Sequence, residues 1–573
     1  MKIQKLGKYW FLSISGIIMI SLFASCGGNK KNNQNTEDMN TLLKNFIASY
    51  ETKVKPLYRE SAEAYFTSAV SGKAEDFEKS ARLQFEYSKI FANKEDFATL
   101  KKIKESGQIT DELLSRQLDI LYNSYLGNQI DEKKLEEIIN LQTEIEKKYN
   151  NFRAVVGKDS LTDNQVEEIL RSSTDSKKLQ DVWMAHKKIG KLVSDDIIKL
   201  VKLRNEAAKS VGFNNYHEMS LKLSEQDPKE IEKLFDELDN LTHDEFVKLK
   251  NEMDDYFVKR YKITKEKLAP WHYQNRFFQE APQIYSLDLD KYYKDKNVVE
   301  LVKKYYAGIG LPIDEIVAKS DLYEKPGKNQ HAFCIDIDKE GDVRVLCNVK
   351  NNAMWMNTLL HEFGHAVYNK KINPELPFEL RDPAHTFTTE AIAMMFERLY
   401  SNPAWLHVNV GISKEEMEKI KDDSYKILKL EQMVFSRWAQ VMYRFEKSMY
   451  ENPDQDLNKL WWNLVEKYQL LKKPAGRNEP DWASKIHIAS SPCYYHNYLL
   501  GELLASQLNH YIVKNIINSN NIYDQSFSNN KEIGKYLSEK VFFPGALYYW
   551  NDMIEKATGE KLTPKYYAEQ FVK

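Results

Sequence analysis

Two histidines four residues apart, His361 and His365, stand in the stretch LLHEFGHAVY, with Glu362 directly after the first. On an α-helix, positions i and i+4 share a face one turn apart, so both imidazoles can reach one metal ion. Glu362, about 100° further round the axis, then lies beside that ion. The arrangement suits zinc: neutral imidazole is a good ligand, and a carboxylate next to an open coordination position can take a proton from water, the chemistry of peptide hydrolysis. A catalytic zinc usually takes three protein ligands. A third histidine following closely is excluded, because Tyr368 and Lys371 occupy those places.

The third ligand must come from another element. Downstream, PAHTFTTEAIAMMFERLY sets Glu390 behind Thr388 and Thr389 at the start of an apolar helical run. A carboxylate there is costly unless paired or bound to metal, which makes Glu390 the candidate. Glu397, seven residues on and so on the same helical face, is placed to orient a ligand from behind. Glu375, Glu379 and His385 compete, but their Pro-containing stretch reads as a solvated loop. A second cluster, KIHIASSPCYYHNYLLGELLASQL, brings Lys485, His487, Tyr494, Tyr495, His496 and Tyr498 together ahead of a helix. Tyr and His can donate to the oxyanion of a tetrahedral intermediate. Taken by itself, the cluster reads more readily as a surface aromatic patch.

The elements that must hold these side chains are mostly helices. KKLEEIINLQTEIEKKYNNF and DDIIKLVKLRNEAAKSVGF repeat apolar residues at three- and four-residue steps. The clearest strand signal is the hairpin AFCIDIDKEGDVRVLCNV, ending about a dozen residues before His361. A turn centred at Lys339-Glu340-Gly341 sets Cys334 opposite Cys347, as a cross-strand disulfide requires. The pattern predicts a mainly α protein with one small sheet beside the metal site. No linker or fixed-period repeat interrupts the chain after about Met39, so one helical domain is expected over 39–573.

Of the 573 residues, 42% are hydrophobic and 12% aromatic, enough to bury a large core and exclude disorder. A net charge of -2 offers no basic field to a polyanion, so nucleic acid is not an expected partner. At the N-terminus, Lys2, Lys5 and Lys8 precede an apolar stretch from Phe11 to Ala24 that falls short of a membrane span. Residues 1–25 read as a signal peptide. LFASC resembles a bacterial lipobox, although Phe23 departs from the usual aliphatic residue; it implies cleavage before Cys26 and a lipid on its sulfur. GGNKKNNQNTED then reads as a flexible tether, with the folded part starting after residue 38. The expectation is a monomeric bacterial cell-envelope lipoprotein held to a membrane by its N-terminal lipid.

Jointly, these residues resemble the angiotensin-converting enzyme family, the peptidyl-dipeptidases. HEFGH with TTEAIA is similar to that family's zinc motif and third-ligand helix, which implies one zinc per chain on His361, His365 and Glu390, with Glu362 as general base. His331-Ala332 resembles the strand that binds substrate backbone. KIHIASS is similar to the family's Lys-x-His-Ile-Pro-Ser-Ser, which implies His487 on a substrate carbonyl and Lys485 on the C-terminal carboxylate. With one residue inserted, Tyr498 resembles the oxyanion tyrosine and Tyr495 a carboxylate-binding tyrosine. Gln274, in PWHYQNRF, resembles the carboxylate-binding glutamine.

There are also departures. Asn497 stands where the animal enzymes have a chloride-binding Arg, and Met394 where they have an acidic residue behind a ligand, which leaves that role to Glu397. The resemblance implies a two-lobed helical gluzincin with a deep central channel that admits unstructured peptides. YYHNYLLGELLA and FFPGALYYWNDMIEKATGEKLTPKYY also look like the thimet oligopeptidase and oligoendopeptidase relatives. Cleavage within short peptides is therefore the alternative to release of C-terminal dipeptides. A catalytically silent lipoprotein receptor or scaffold on the same fold is the alternative from another class.

Overall fold

The computed structural model describes residues 38–572. The expected signal peptide, Cys26 and all but the last residue of the expected tether lie outside the described residues. Helices hold 69% of the chain, and the only sheets among the described residues are two antiparallel two-stranded ribbons. The fold is mainly α, so the site is positioned by helix packing. No described helix is long and apolar enough to cross a membrane.

The elements used below are, in chain order, α1 (Met39–Ser71), α2 (Glu112–Leu126), the ribbon β1 (Ala154–Val156) with β2 (Asp159–Leu161), α3 (Ser176–Ser210) and α4 (Pro228–Tyr261). They continue with the ribbon β3 (Phe333–Asp336) with β4 (Val343–Leu346), α5 (Ala353–Lys371), α6 (Thr386–Glu397), α7 (Lys414–Glu451) and α8 (His496–Tyr511). One apolar core runs through most of these elements, from Ile138 to Phe571. A smaller cluster, with Leu43, Val54, Leu100 and Tyr125, lies among the N-terminal helices. It is joined by a single residue from far along the chain, Phe378, in the connection between α5 and α6.

Local chemistry fixes the two helices that matter most. Asn352 caps α5, its side chain accepting from the Trp355 N–H, and Lys370 and Lys371 complement the dipole in the last turn. At the start of α6, the His385 ring accepts from the Phe387 N–H at 3.1 Å, while the His385 N–H reaches Thr388 Oγ1 at 3.2 Å. His385 is thus a helix cap, not a solvated loop residue, and burial pushes its imidazole down to about 4. Glu379 is likewise corrected: it is 4% exposed, with neither carboxylate oxygen hydrogen-bonded, and burial raises it to about 7. Glu375 is exposed, as expected.

A close crossing brings α5 against α6. A Cβ on Gly364 would meet the Ala393 Cα at 2.8 Å, so only glycine lets the two backbones approach this far. The β3–β4 ribbon pairs Phe333 with Leu346 and Cys334 with Val345, closed by the Ile337 N–H on the Asp342 carbonyl at 2.8 Å. The turn centre therefore falls one residue earlier than the sequence suggested. Cys334 and Cys347 become diagonal neighbours on one face, typically about 7–8 Å apart, too far for a disulfide, and both are free thiols.

Candidate metal centre

Helix α5 carries His361 and His365 on one face, and α6 carries Glu390 in its second turn. Nε2 of the two imidazoles lie 3.1 Å apart, and each is 3.8 Å from Glu390 Oε2. This is the one group among the described residues whose donor atoms gather closely enough for a metal ion. Behind the group, His361 Nδ1 meets Glu397 Oε2 at 2.5 Å and His365 Nδ1 meets Thr389 Oγ1 at 2.7 Å. Each Nδ1–H donated outward leaves an Nε2 lone pair pointing inward.

With both rings neutral, three electron donors converge on one point, an arrangement that a bound cation stabilises. Tetrahedral zinc with bonds of ~2.0–2.1 Å separates its ligand atoms by about 3.3 Å. The observed spacings bracket that value, so the residues fit zinc.

Electrostatics distinguish the acidic groups. Burial raises the Glu362 carboxyl to about 7, with His361 and the Cys334 backbone N–H pulling the other way. Glu390 is raised chiefly by burial, with His361 opposing. Burial, then the neighbouring His361, pushes His365 down to about 3 and keeps it a neutral ligand. Burial also opposes charge on His361, but Glu397, Glu362 and Glu390 outweigh it and raise the imidazole to about 9. Strand β3 lies along α5, as expected, and presents Cys334 to Glu362. Ala332, just before that strand, is half-buried, whereas His331 is exposed.

The second cluster faces the same site. Tyr498 is half-buried in the first turn of α8, close enough to Glu390 that, after burial, the carboxylate is the group that raises its phenol. A Cβ on Gly501, one turn further, would meet Met394 Sδ at 3.1 Å and Glu390 Cβ at 3.3 Å, so α8 packs directly on the ligand helix. A cavity of about 340 Å³ is lined by His487, Ser491, Pro492, Tyr494, Tyr495 and Tyr498. The His487 ring lies 5.4 Å from Tyr495, and its Nδ1 is buried without a partner. Burial, then Lys485, lowers His487 to about 4, so the ring is neutral at pH 7.

Lys485 is 6% exposed, and its side-chain nitrogen has one hydrogen-bond partner among the described residues, Gln279 Oε1 at 2.6 Å. Its Nζ lies 5.3 Å from the centre of Phe277, 5.4 Å from Trp438 and 5.4 Å from Tyr495. Burial, with Arg276 adding to it, lowers this ammonium to about 7. A buried amine held by ring faces and one neutral amide is only half charged near pH 7, and an anionic neighbour would favour its protonated form.

Gln274 is corrected here. Its Oε1 accepts from the Gln283 N–H at 2.8 Å, and the glutamine beside Lys485 is Gln279. Left-handed backbone at Gln274 and Phe278 winds this segment in a way that no local sequence pattern reveals. Thr389 was also missed as a ring partner, as were Phe277 and Trp438 as walls around Lys485.

The sequence model described as angiotensin-converting enzyme, peptidase M2, matches residues 37–567. The angiotensin-converting enzyme of Theromyzon tessulatum is 22% identical over 492 residues, covering 80% of this chain and 79% of that protein. The Mesocricetus auratus angiotensin-converting enzyme is 21% identical over 566 residues, 91% of this chain but 41% of its own length. The angiotensin-converting enzyme-like protein Ace3 of Mus musculus is 20% identical over 423 residues, 69% of this chain and 57% of its own. The chain thus spans most of the Theromyzon tessulatum protein and less than half of the Mesocricetus auratus one. Matched along nearly all of its described length, the chain belongs to the angiotensin-converting enzyme family of peptidases.

Proposed function

We propose that this protein is a zinc peptidase that releases dipeptides from the C-termini of short, unstructured peptides. When bound by His361, His365 and Glu390, zinc supplies Lewis acidity toward the scissile carbonyl and toward water. Lys485, with Gln279 and Tyr495 beside it, binds the C-terminal carboxylate and so sets which peptide bond reaches Glu362. The Glu362 carboxylate, with its pKa lifted to about 7, takes the proton from the attacking water and returns it to the leaving amine. The Tyr498 hydroxyl and a His487 N–H donate to the oxyanion.

The observation that carries this reading is Lys485, an enclosed amine lacking a carboxylate partner among the described residues, beside the cavity that His487 and Tyr498 line. The same reading keeps a lipid on Cys26 and a place in a bacterial cell envelope, which the mass of the N-terminal peptide tests.

Product masses decide the activity. With zinc-loaded protein, a peptide with a free C-terminus is expected to lose dipeptides, its amidated form to react slowly, and Glu362→Gln to lose about 10²–10⁴-fold in kcat with its zinc retained. Internal cuts unaffected by amidation would favour an oligoendopeptidase. A zinc-replete wild type that turns over no peptide would favour the silent receptor or scaffold.

A further inference from the structure

Gln226 takes no part in the chemistry above, yet it is 2% exposed and both ends of its amide are engaged. Its Oε1 meets His496 Nε2 at 2.7 Å, and its Nε2 donates to Asn497 Oδ1 at 2.8 Å. Those two residues immediately precede Tyr498 and form the first turn of α8. That turn needs an outside hold, because Tyr495, at the N-cap, makes no side-chain capping bond.

Gln226 is itself held firmly. Its N–H donates to the Leu221 carbonyl at 2.8 Å. Glu225, before it, has a left-handed φ of 60°, and its carbonyl accepts from the Trp550 indole N–H at 2.8 Å. The Glu225 carboxylate also pairs with Arg116 on α2. Asp227, after it, caps α4 through the Lys229 N–H, with Pro228 in the first turn. A rotation of about 10° carries a side-chain tip on a helix surface through about 1 Å. A misplacement of that size in a reacting group can cost about 10²-fold in rate.

We infer that Gln226 is a positioning residue that sets the Tyr498 hydroxyl over the oxyanion site by clamping His496 and Asn497. The inference rests on the reading of Tyr498 as an oxyanion donor. The test is a double-mutant cycle on the zinc-loaded protein, following hydrolysis of a peptide with a free C-terminus. Gln226→Leu is expected to lower kcat about ten- to a hundredfold, with KM within about twofold and zinc content unchanged. In a Tyr498→Phe background the same substitution is expected to cost less than about twofold more, because there is no hydroxyl left to position.

Equal losses in the two backgrounds, or a raised KM with kcat unchanged, would overturn the inference while leaving Tyr498 in its role. A Tyr498→Phe protein with undiminished kcat would overturn both. Should Gln226→Leu fold poorly, Asn497→Ala cuts the other end of the same hydrogen bond and is judged by the same cycle.

Discussion

Each metal-facing imidazole is aimed by a partner on its far nitrogen, and the two partners differ in charge. His361 has the carboxylate of Glu397, and His365 has the hydroxyl of Thr389. A charged acceptor makes the imidazole more basic and fixes its tautomer more strongly than a neutral one. Glu397→Gln is therefore expected to weaken zinc binding by about 10- to 100-fold, and Thr389→Val by less, in competition against a calibrated chelator. Equal affinities for wild type and Glu397→Gln would show that the carboxylate does not tune the ligand. At this scale the sequence was informative wherever the partner lies on the same helix as a ligand. Glu397 follows Glu390 by seven residues, so helical periodicity alone places it. Gln279 could not be found in this way. HYQNRFFQ offers two glutamines, and only the turns at Gln274 and Phe278 decide which one reaches Lys485.

The site exists because α5 and α6 cross closely enough for Glu390 to meet two imidazoles on the other helix. Gly364, inside the HEFGH motif, makes that crossing possible. Gly364→Ala would force a methyl group into the Ala393 backbone, and neither helix can yield locally without moving its ligands. The expected outcome is destabilisation of about 1–3 kcal/mol, together with weaker zinc binding, read from thermal melts with and without added zinc. A stability loss with unchanged zinc affinity would mean that the crossing can relax without disturbing the ligands. The first helix was legible from the spacing of its two histidines and the second from the apolar run behind Thr388 and Thr389, and so was the separation that makes Glu390 a returning ligand. The ribbon's register was not. A hairpin's pairing depends on which residues its turn consumes, and Ile337 closing on Asp342 moved the centre by one position. That small shift removed the alignment of Cys334 with Cys347.

Over the whole molecule, the segment from Ser484 to Tyr498 is held by residues that the sequence gives no reason to connect with it. Lys187 on α3 reaches Ser484 Oγ at 3.0 Å, Arg204 on the same helix donates to the Ala489 carbonyl at 2.6 Å, and Glu446 on α7 accepts from the Cys493 N–H at 3.0 Å. The first two bonds bridge 297 and 285 residues and the third 47, so no periodicity or spacing announces them; the tertiary fold creates them. Glu446 also makes global stability depend on pH. It is 2% exposed, and burial raises its carboxyl from the ordinary 4.5 to about 8, with the Cys493 N–H and Arg204 opposing. Between those two values the native state keeps a proton that the unfolded chain releases. The group's contribution is therefore fully present below about pH 4.5 and is lost as pH rises through about 8. Glu446→Gln keeps an oxygen for the Cys493 N–H and cannot ionise. Its Tm is expected to exceed that of the wild type near pH 9, with the gap closing toward pH 4, in melts of both proteins across that range. A gap that did not vary with pH would mean that Glu446 is ionised, or protonated, alike in the folded and unfolded chains. The α7 anchor of this segment would then rest on a carboxyl that burial does not perturb.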